Sequence, residues 1–438
     1  MPVEPDCIVV GGGLAGLACA RELACRGRSV RLLEAAAASG GRVATDTVDG
    51  FRIDRGFQVY LDAYPEGRRQ LDLDALKLGR FEPGALVAEG RRLRRVTDPW
   101  RRPLAAVRSL VDGTVGLGDA LRVARLRGEL LGRMAAGGID PDRPVAADER
   151  TTRAALEARG FSTRFIARFF EPFFGGVFLE RGLDTAEPVF DFTFAMFALG
   201  NACLPAGGMA AIPRQLAAGL PADAIEVGTP VAAVEPVAAV ERGAVRLADG
   251  QRRACRTVVV ATDRRAAERL LPPGSLPATD TGVTRGDKGA RMVAFAAERS
   301  PIGGPTLLVS ADRAGPIDNL TVPSDVVAGY APAGAALIYA SVRPDWAGDD
   351  AAAAADVVRQ ARGWFGSHVD QWRPLATLRI GHALPDESPA ARRWRPTGPR
   401  LAAGLFICGD HVTSGSINGA LVGGHRAAAA VDAELAGG

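Results

Sequence analysis

The sequence predicts an α/β protein in which one domain is assembled from separate segments and a mixed α+β domain is inserted between them. Three observations predict this arrangement. A glycine-rich turn joins a strand to a helix at residues 7–24, an apolar strand lies at 257–261, and a strand at 405–408 precedes a last helix. Because strands that alternate with helices form parallel sheets, we expect these three segments to share one sheet.

Composition limits the classes of function. The 438 residues are enough for two or three domains, or for one large domain with an insertion. A net charge of +3 is too small to predict a nucleic-acid partner. The chain shows no leader pattern and no run of about 18 apolar residues, so we expect a cytoplasmic protein. The six cysteines form no CxxC pair and no metal-ligand spacing, so we expect reduced thiols and no metal.

The first segment contains a dinucleotide-binding pattern. An apolar strand is followed by GGGLAG at residues 11–16, which fits GxGxxG, and then by helical apolar spacing. Gly11 permits the tight turn, Gly13 lets the backbone approach a pyrophosphate, and Gly16 allows the helix to pack closely on the strand. The start of the helix offers N–H groups to phosphates. Glu34 ends the next strand, where a carboxylate can accept the ribose hydroxyls.

The residues that follow Glu34 make the pattern more specific. The stretch 9–42, which ends in Gly40-Gly41-Arg42, resembles the flavin amine oxidase superfamily, including monoamine oxidases, protoporphyrinogen oxidases and phytoene-type desaturases. The resemblance implies an FAD-binding Rossmann-type domain of the glutathione reductase 2-like class. It places Arg42 along the FAD phosphates and ribityl chain, and a guanidinium can bind a phosphate through two hydrogen bonds.

Two further segments resemble motifs of the same superfamily. Residues 51–58 resemble its D-x-G segment, which passes close to the isoalloxazine ring, although a plain hairpin turn is the alternative. After the strand at 405–408, Gly409-Asp410 precedes a helix expected from about Ser416 to residue 435. In the family this helix points its N-terminus at the pyrimidine end of the flavin, where it stabilises the negative charge of reduction. No cysteine lies in 412–420, so we expect non-covalent FAD.

These motifs together define the expected FAD-binding domain as residues 1–60, 205–272 and 395–438, with a substrate domain at 61–204 and 273–394. Residues 225–234 are expected to form one strand of the FAD-binding domain. Within that strand the resemblance implies that Val231 packs on the adenine, and a place in the sheet interior is the alternative. The predicted FAD-contacting residues are Gly11, Gly13, Leu14, Ala15, Gly16, Glu34, Ala35, Gly41, Arg42, Gly56, Phe57, Gln58, Val231, Gly409, Asp410, Ser416, Ile417, Asn418 and Ala420.

Candidates for catalysis are few, as expected when the cofactor supplies the chemistry. His411 follows Gly409-Asp410 and could act as a base or hold a charge near the ring. The alternative is a loop histidine that is exposed or bonded to the backbone. Many amine oxidases place a lysine near flavin N5, inside a strand. Lys288 precedes the matching strand here and Arg291 lies inside it, so the register favours Arg291.

Phenylalanines are concentrated at residues 161–197, in part on a helical pattern at 152–168. They predict a helix core or one wall of an apolar substrate cavity, and the two interpretations are compatible. Arginine-rich stretches at 91–102 and 122–133 indicate solvated surfaces, with peripheral contact to an anionic membrane as the alternative.

The sequence therefore predicts an FAD-dependent oxidoreductase of the desaturase or oxidase type. Its substrate is expected to be an apolar or aromatic small molecule that gives a hydride to flavin N5. A second GxGxxG with an acidic partner is missing from the sequence, so oxygen or a quinone is the expected electron acceptor, or else a protein. The alternatives are a carotenoid-type isomerase, an amine oxidase, and a partner protein in which FAD is only structural. The last alternative predicts that no cavity faces the flavin.

Overall fold

A computed structural model gives the fold of most of the chain. It describes residues 4–97, 100–101, 116–235, 243–277, 287–312 and 315–437. The arginine-rich stretch predicted at 91–102 is therefore described only in part, because Arg102 lies outside these residues.

The described residues form the following strands and helices. The strands are β1 (Cys7–Val10), β2 (Val30–Leu33), β3 (Thr45–Val48), β4 (Phe51–Asp54), β5 (Tyr60–Leu61), β6 (Gly79–Arg80), β7 (Gly84–Glu89), β8 (Arg92–Thr97), β9 (Ala202–Leu204), β10 (Ile225–Glu226), β11 (Val231–Glu235), β12 (Gly243–Leu247), β13 (Arg252–Cys255), β14 (Thr257–Val260), β15 (Lys288–Ala297), β16 (Leu307–Ser310), β17 (Ile317–Thr321), β18 (Ala336–Val342), β19 (Arg373–Leu384), β20 (Arg400–Ala402) and β21 (Leu405–Ile407). The helices are α1 (Leu14–Cys25), α2 (Pro65–Gln70), α3 (Leu73–Leu76), α4 (Leu117–Ala135), α5 (Thr152–Ala158), α6 (Thr163–Phe165), α7 (Glu171–Phe178), α8 (Glu187–Leu199), α9 (Ala211–Ala218), α10 (Arg264–Leu270), α11 (Pro323–Val326), α12 (Asp350–Phe365), α13 (Pro389–Arg392) and α14 (Ile417–Gly437), with a π-turn at Ile166–Phe170 and 3₁₀ turns at Ala328–Tyr330 and Ser367–Gln371.

The first domain is built on a six-stranded sheet in the order β10–β2–β1–β14–β21–β20. All neighbouring strands are parallel except β20 and β21. Every strand of this sheet lies in the segments assigned to the FAD-binding domain, while the domain boundaries themselves stay a prediction. The fold is the α/β architecture that the sequence predicts.

Helices and a small sheet cover the two faces of the six-stranded sheet. Because successive strand residues point to opposite faces, Val9 packs with α1 and α14, whereas Ile8 and Val10 pack toward β12 and α10. Both faces are therefore buried, which explains why β1 and β14 are continuous apolar runs rather than alternating ones.

The middle segment differs from the prediction of one strand over residues 225–234. The structure has two strands, β10 and β11, because Gly228 adopts a positive φ of 64° and Pro230 follows it. Pro230 also has no backbone N–H to donate to a ladder. As a result β10 joins the parallel sheet beside β2, and β11 begins an antiparallel sheet with β12 and β13.

The second domain contains a seven-stranded sheet in the order β19–β15–β18–β17–β16–β7–β8. Its pairs are antiparallel except β16 and β7. Helix α12 covers one face, where Val357 and Ala361 belong to the same core as Phe295 and Ile338. Helix α7 packs over strands β16 and β17 of the same sheet.

The helix predicted over residues 152–168 is interrupted in the structure. Helix α5 ends before Gly160, which has a φ of 79°. Ser162 then caps α6, because its Oγ accepts a hydrogen bond from the backbone N–H of Phe165 (3.1 Å). The π-turn follows without a break and leads into α7.

Asp54 is a buried carboxylate, 0% exposed, that joins distant segments. Its Oδ1 accepts hydrogen bonds from Thr45 Oγ1 (2.6 Å) and from the N–H of Met209 (2.9 Å), and its Oδ2 accepts one from the hydroxyl of Tyr330 (2.8 Å). Its own N–H donates to the Tyr339 hydroxyl oxygen (2.8 Å). Burial raises the pKa of Asp54 to about 6, because the loss of hydration outweighs these hydrogen bonds.

We predict that Asp54 makes folding depend on pH. Since its pKa in the folded state lies above the ordinary value, its contribution to stability is full at low pH and is lost as the pH rises through about 6. Relative to Asp54→Asn, the wild type should gain roughly 1 kcal/mol of unfolding free energy between about pH 7.5 and pH 5. Urea unfolding of both proteins measures this difference. The exposed residue Asp249 supplies the control Asp249→Asn, and a difference that does not change with pH would contradict the prediction.

Candidate functional site

A cavity of about 1000 Å³ extends from the carboxyl edge of the six-stranded sheet to the phenylalanine-rich helices. One end of the cavity is lined by Gly11, Gly13, Glu34, Arg42 and Asp410, and we call it the nucleotide end after the sequence motif that forms it. The opposite part is lined mainly by aromatic rings. This volume is at the top of the usual range for a small-molecule site. The cavity therefore has room for an elongated cofactor and a second molecule.

The turn between β1 and α1 requires glycine at Gly11 and Gly16 and leaves the backbone open at Gly13. Gly11 has a φ of 109°, and a Cβ there would lie 2.9 Å from the carbonyl oxygen of Ala261. A Cβ on Gly16 would lie 1.9 Å from the oxygen of Gly11, so the helix touches the turn directly. Gly13 has open space where a Cβ would be, and it begins α1 without a side-chain cap. Its backbone and the first N–H groups of α1 are therefore accessible to a phosphate.

Glu34 lies at the end of β2, beside this turn. Its Oε2 accepts a hydrogen bond from the N–H of Gly12 (2.6 Å), and its Oε1 accepts one from the N–H of Ala36 (2.7 Å). These bonds fix the carboxylate at the cavity wall, which Ala35 also lines. Since each carboxylate oxygen has a second lone pair, Glu34 can still accept the hydroxyls of a ribose.

Arg42 and Asp410 connect two motifs that are far apart in the sequence. Arg42 Nη2 donates to Asp410 Oδ1 (2.6 Å), and Nη1 donates to the carbonyl of Ala383 (2.8 Å). Burial disfavours the charged form of Asp410, but the attraction and hydrogen bond of Arg42 outweigh it and hold the pKa of Asp410 below its ordinary value. Asp410 is therefore ionised at neutral pH, and its charge keeps the guanidinium at the cavity wall.

The start of α14 follows the prediction from sequence. Ser416 Oγ accepts a hydrogen bond from the N–H of Gly419 (2.9 Å), which confirms Ser416 as the N-cap. The preceding turn is held by the buried carboxylate of Glu387, whose Oε1 accepts from the N–H of Gly415 (2.6 Å) and from Arg395 Nη2 (2.7 Å). The N-terminus of α14 is thus fixed at the cavity, which Ser416 lines.

Helices α1 and α14 contact each other along their backbones. A Cβ on Gly424 would lie 2.4 Å from the carbonyl oxygen of Ala15, so only glycine permits this approach. Both helices begin at the cavity, since Leu14 of α1 and Ile417 of α14 line it. Two positive helix ends therefore face the same space.

The D-x-G segment lies between the polar and the aromatic parts of the cavity. Gly56 has a φ of 89°, and a Cβ there would lie 3.2 Å from Ile380 Cδ1. Gln58 Nε2 donates to the carbonyl of Arg42 (2.9 Å), and Phe57 packs edge to face against Phe81 with ring centroids 6.2 Å apart. A hairpin turn is present as well, but it lies earlier, between β3 and β4.

Aromatic rings enclose the other part of the cavity. Phe165, Phe169 and Phe173 stack in succession with centroids 5.5 and 5.7 Å apart, and all three line the space. Phe170 and Phe190, in contrast, are fully buried behind them. The phenylalanine-rich stretch therefore contributes both to a buried helix core and to the lining of this cavity. We call the lining rings the aromatic wall: Phe57, Tyr64, Phe81, Trp100, Phe165, Phe169, Phe173, Phe174, Phe178, Phe194 and Phe197.

The structure corrects the register expected for Arg291. Its side chain leaves the cavity, donates to the carbonyl of Gly348 (2.7 Å), pairs with Asp350 (3.1 Å) and lies over the ring of Trp346. The preceding residue, Ala290, lines the cavity instead. Because adjacent residues of a strand face opposite sides, Arg291 does not reach the cavity from this position.

Lys288 and His411 are also placed away from the cavity lining. Lys288 forms an ion pair with Glu180. His411 is buried rather than exposed, and a Cβ on Gly409 would lie 2.6 Å from its Nδ1. Neither ring nitrogen of His411 has a hydrogen-bond partner among the described residues. Burial lowers the pKa of His411 to about 4, so the ring is neutral near pH 7 and packs behind Gly409 rather than acting as a base in the cavity.

Three predicted FAD-contacting residues lie outside the cavity lining, and all the others are part of it. Gly16 lies beneath the glycine turn, where it permits close packing. Val231 packs at the edge of the apolar core under β12, which is the sheet-interior alternative. Asn418 Oδ1 accepts a hydrogen bond from the N–H of Glu66 (3.0 Å) and thereby ties α14 to α2.

Several polar lining residues were missed by sequence reasoning. Thr262 and Asp263 follow β14, so they could have been found from the rule that the carboxyl ends of parallel strands meet at one edge. His382 lines the cavity beside the Arg42 segment, with its Nδ1 3.3 Å from the carboxylate of Asp287. Asn319 lines the aromatic part. No local motif marks His382 or Asn319.

The residues that the structure describes contain neither a metal-site cluster nor a membrane-spanning helix. Within these ranges no cluster of three or more histidine, cysteine or acidic side chains has the arrangement of a metal site. In the same part of the chain, every helix is too short or too polar to cross a bilayer.

Residues 14–432 match the profile of the family described as flavin-containing amine oxidoreductases. The chain belongs to this family. Membership implies a flavin cofactor, and the nucleotide end of the cavity fits one, since it combines a glycine turn open to a phosphate with a fixed guanidinium.

Individual relatives agree with this assignment. The chain is 30% identical over 295 residues to a phytoene dehydrogenase of Streptomyces griseus, an alignment that covers 60% of this chain and 55% of the relative. It is 48% identical over 56 residues to a putrescine oxidase of Kocuria rosea, which covers 13% of this chain and 12% of the relative. The chain thus spans about half, or less, of these curated relatives. A solved putrescine oxidase variant has the same fold, with a TM-score of 0.75 at 16% identity over 98% of this chain and 99% of that one.

We predict that Gly16→Ala weakens flavin binding, because its Cβ would overlap the oxygen of Gly11 and push α1 away from the turn. Flavin affinity should fall by at least about tenfold, which corresponds to about 1.4 kcal/mol. The flavin absorbance per mole of purified protein, followed by titration with FAD, measures the effect. Gly132→Ala is the matched control, since this glycine also lies in a helix but has free space around it. Equal flavin content in the two variants would contradict the prediction.

Proposed function

We propose that this protein is an FAD-dependent oxidoreductase that removes a hydride from an apolar or aromatic small molecule, as desaturases and oxidases do. The observation that supports the proposal is a single cavity that joins the nucleotide end to the aromatic wall. Bound non-covalently, FAD would supply the hydride acceptor at N5 of its ring. A purely structural role for FAD predicts no such cavity, so we do not retain that alternative.

Residues at the nucleotide end would hold the cofactor. The backbone at Gly13 and the start of α1 suit the pyrophosphate, Glu34 suits the ribose, and Arg42 suits a phosphate. Thr262 and Asp263 add polar groups at the same edge. The N-terminus of α14 would stabilise negative charge on the reduced ring.

The aromatic wall would bind the substrate and exclude water. Its rings offer large apolar area to a ligand. Three acidic residues of the cavity lining, Glu34, Asp263 and Asp410, lie near the nucleotide end rather than in the aromatic part. The fourth, Glu82, pairs with Arg95 (2.8 Å). A substrate ammonium group would find little compensation for its lost hydration. We therefore favour an uncharged substrate over an amine.

The electron acceptor and the location complete the proposal. Oxygen or a quinone would reoxidise the flavin, and a cytoplasmic location is proposed. Peripheral membrane contact is the alternative supported by Leu117 and Leu121, which are 69% and 64% exposed on α4. The intervening residue Ala120 lines the cavity, so this apolar surface adjoins it.

We predict that an apolar substrate bleaches the bound flavin in the absence of oxygen. Visible absorbance near the flavin maximum is followed while a polyene, a porphyrinogen and an amine are added separately. The proposal expects reduction by the polyene or the porphyrinogen, with product that is lighter by two hydrogens. Gly16→Ala, which should bind flavin at least about tenfold more weakly, is the control for reactions that do not use the cofactor.

Other outcomes separate the alternatives. Reduction by the amine alone would establish an amine oxidase. A product of unchanged mass, formed only with prereduced flavin, would establish an isomerase. If no apolar substrate reduces the flavin, the proposed function is wrong.

A further inference from the structure

Asn319 places an amide on an otherwise apolar surface of the cavity. It lies in the centre of β17, opposite Val309 of β16, and its side chain is 6% exposed. Val309, Leu307 and Phe173 belong to one apolar cluster and also line the cavity. A Cβ built on Gly176 of α7 would lie 3.0 Å from Asn319 Nδ2, so the amide lies directly against that helix.

The oxygen of this amide is not satisfied by the protein. Asn319 Oδ1 is buried and has no hydrogen-bond partner within the part of the chain that the structure describes. The adjacent carboxylate of Asp318, which lies against the same glycine of α7, is engaged with Arg181 (2.5 Å). A buried, unsatisfied amide destabilises a fold, so its presence calls for an explanation.

The chemistry of the amide limits what can satisfy it. An asparagine side chain both donates and accepts hydrogen bonds and has no charge. A carboxylate or ammonium group bound here would lose its hydration without gaining an opposite charge, because the neighbouring cation Arg181 and carboxylate Asp318 already pair with each other. A hydroxyl, carbonyl or amide group suits the position.

We propose that Asn319 is a specificity-determining residue that binds one neutral hydrogen-bonding group of a substrate that is otherwise apolar. The inference rests on the proposed function only in taking this cavity as the substrate site. It names a narrower substrate class, namely molecules with an apolar body against the aromatic wall and a single oxygen- or nitrogen-containing group at β17.

Binding of matched ligand pairs to the flavin-loaded protein tests this proposal. The probes are geranylgeraniol with its analogue in which hydrogen replaces the hydroxyl, and 2-naphthol with naphthalene. Dissociation constants come from the change that each probe causes in the flavin absorption spectrum. The wild type should bind the hydroxylated member of at least one pair about tenfold more tightly, because only that member satisfies the amide.

Variants assign this preference to one side chain. Asn319→Leu, which is similar in size, should lose the preference by weakening alcohol binding and strengthening hydrocarbon binding. It should be at least as resistant to thermal unfolding as the wild type, since it removes an unsatisfied group. Asn319→Thr keeps one hydroxyl and should keep part of the preference, and it replaces the leucine variant if that one does not fold. Val309→Ala changes the same surface without changing polarity and should leave the affinity ratio as it is.

Three results would overturn the proposal: equal affinity of the wild type for both members of each pair, an unchanged ratio in Asn319→Leu, or binding of none of the probes. Because no turnover is measured, failure here is distinguishable from failure of the proposed reaction. A protein that discriminates between the probes but never reduces its flavin would support the role of Asn319 and remove the oxidoreductase proposal.

Discussion

Two close backbone contacts, made at Gly16 and at Gly424, determine where helices α1 and α14 begin, and the cavity depends on both positions. At Gly16 the first turn of α1 touches the oxygen of Gly11, and at Gly424 helix α14 touches α1. With any side chain at these two positions the helices would have to separate. Because they do not, the N-termini of two helices from opposite ends of the sequence reach the same cavity. Their positive ends are brought together without any charged side chain, by shape alone.

The two parts of the cavity are built by different means. At the nucleotide end, backbone turns and helix starts form most of the surface, and the carboxylates of Glu34, Glu387 and Asp410 hold them in place. In the aromatic part, side chains such as Phe169 and Phe194 form the surface directly. A backbone-built site survives wide sequence change as long as its glycines remain, whereas a side-chain surface changes with each substitution. This contrast fits a chain that shares its fold with proteins only 16% identical to it.

Sequence reasoning succeeded where the signal is local. The glycine turn, Glu34 and the Ser416 cap each depend on residues within a few dozen positions, so spacing alone predicted them. It failed for Arg291, because the pairing of β15 with β19 shifts between Lys288 and Ala290, and no local pattern reveals an irregular ladder. The break of the 225–234 strand, in contrast, was signalled by Gly228 and Pro230 and should have been foreseen.

Asp54 and Asn319 were beyond the reach of sequence patterns for a different reason. The partners of Asp54 include Met209 and Tyr330, which are 155 and 276 positions away. Asn319 is distinctive because it lacks a partner, and a missing contact has no signature in the sequence. Only the assembled sheet shows which polar residues face an apolar space.

The π-turn at Ile166–Phe170 suggests how such a surface can be altered during evolution. A π-turn closes its hydrogen bond over one more residue than an α-helical turn does. Removing one residue would rotate everything that precedes it by about 100° relative to α7. Phe165 would then leave the ring stack with Phe169, and a different side chain would take its place. Insertion or deletion of a single residue here would therefore change which side chains line the aromatic part of the cavity. The six-stranded sheet and its glycine turn would stay as they are.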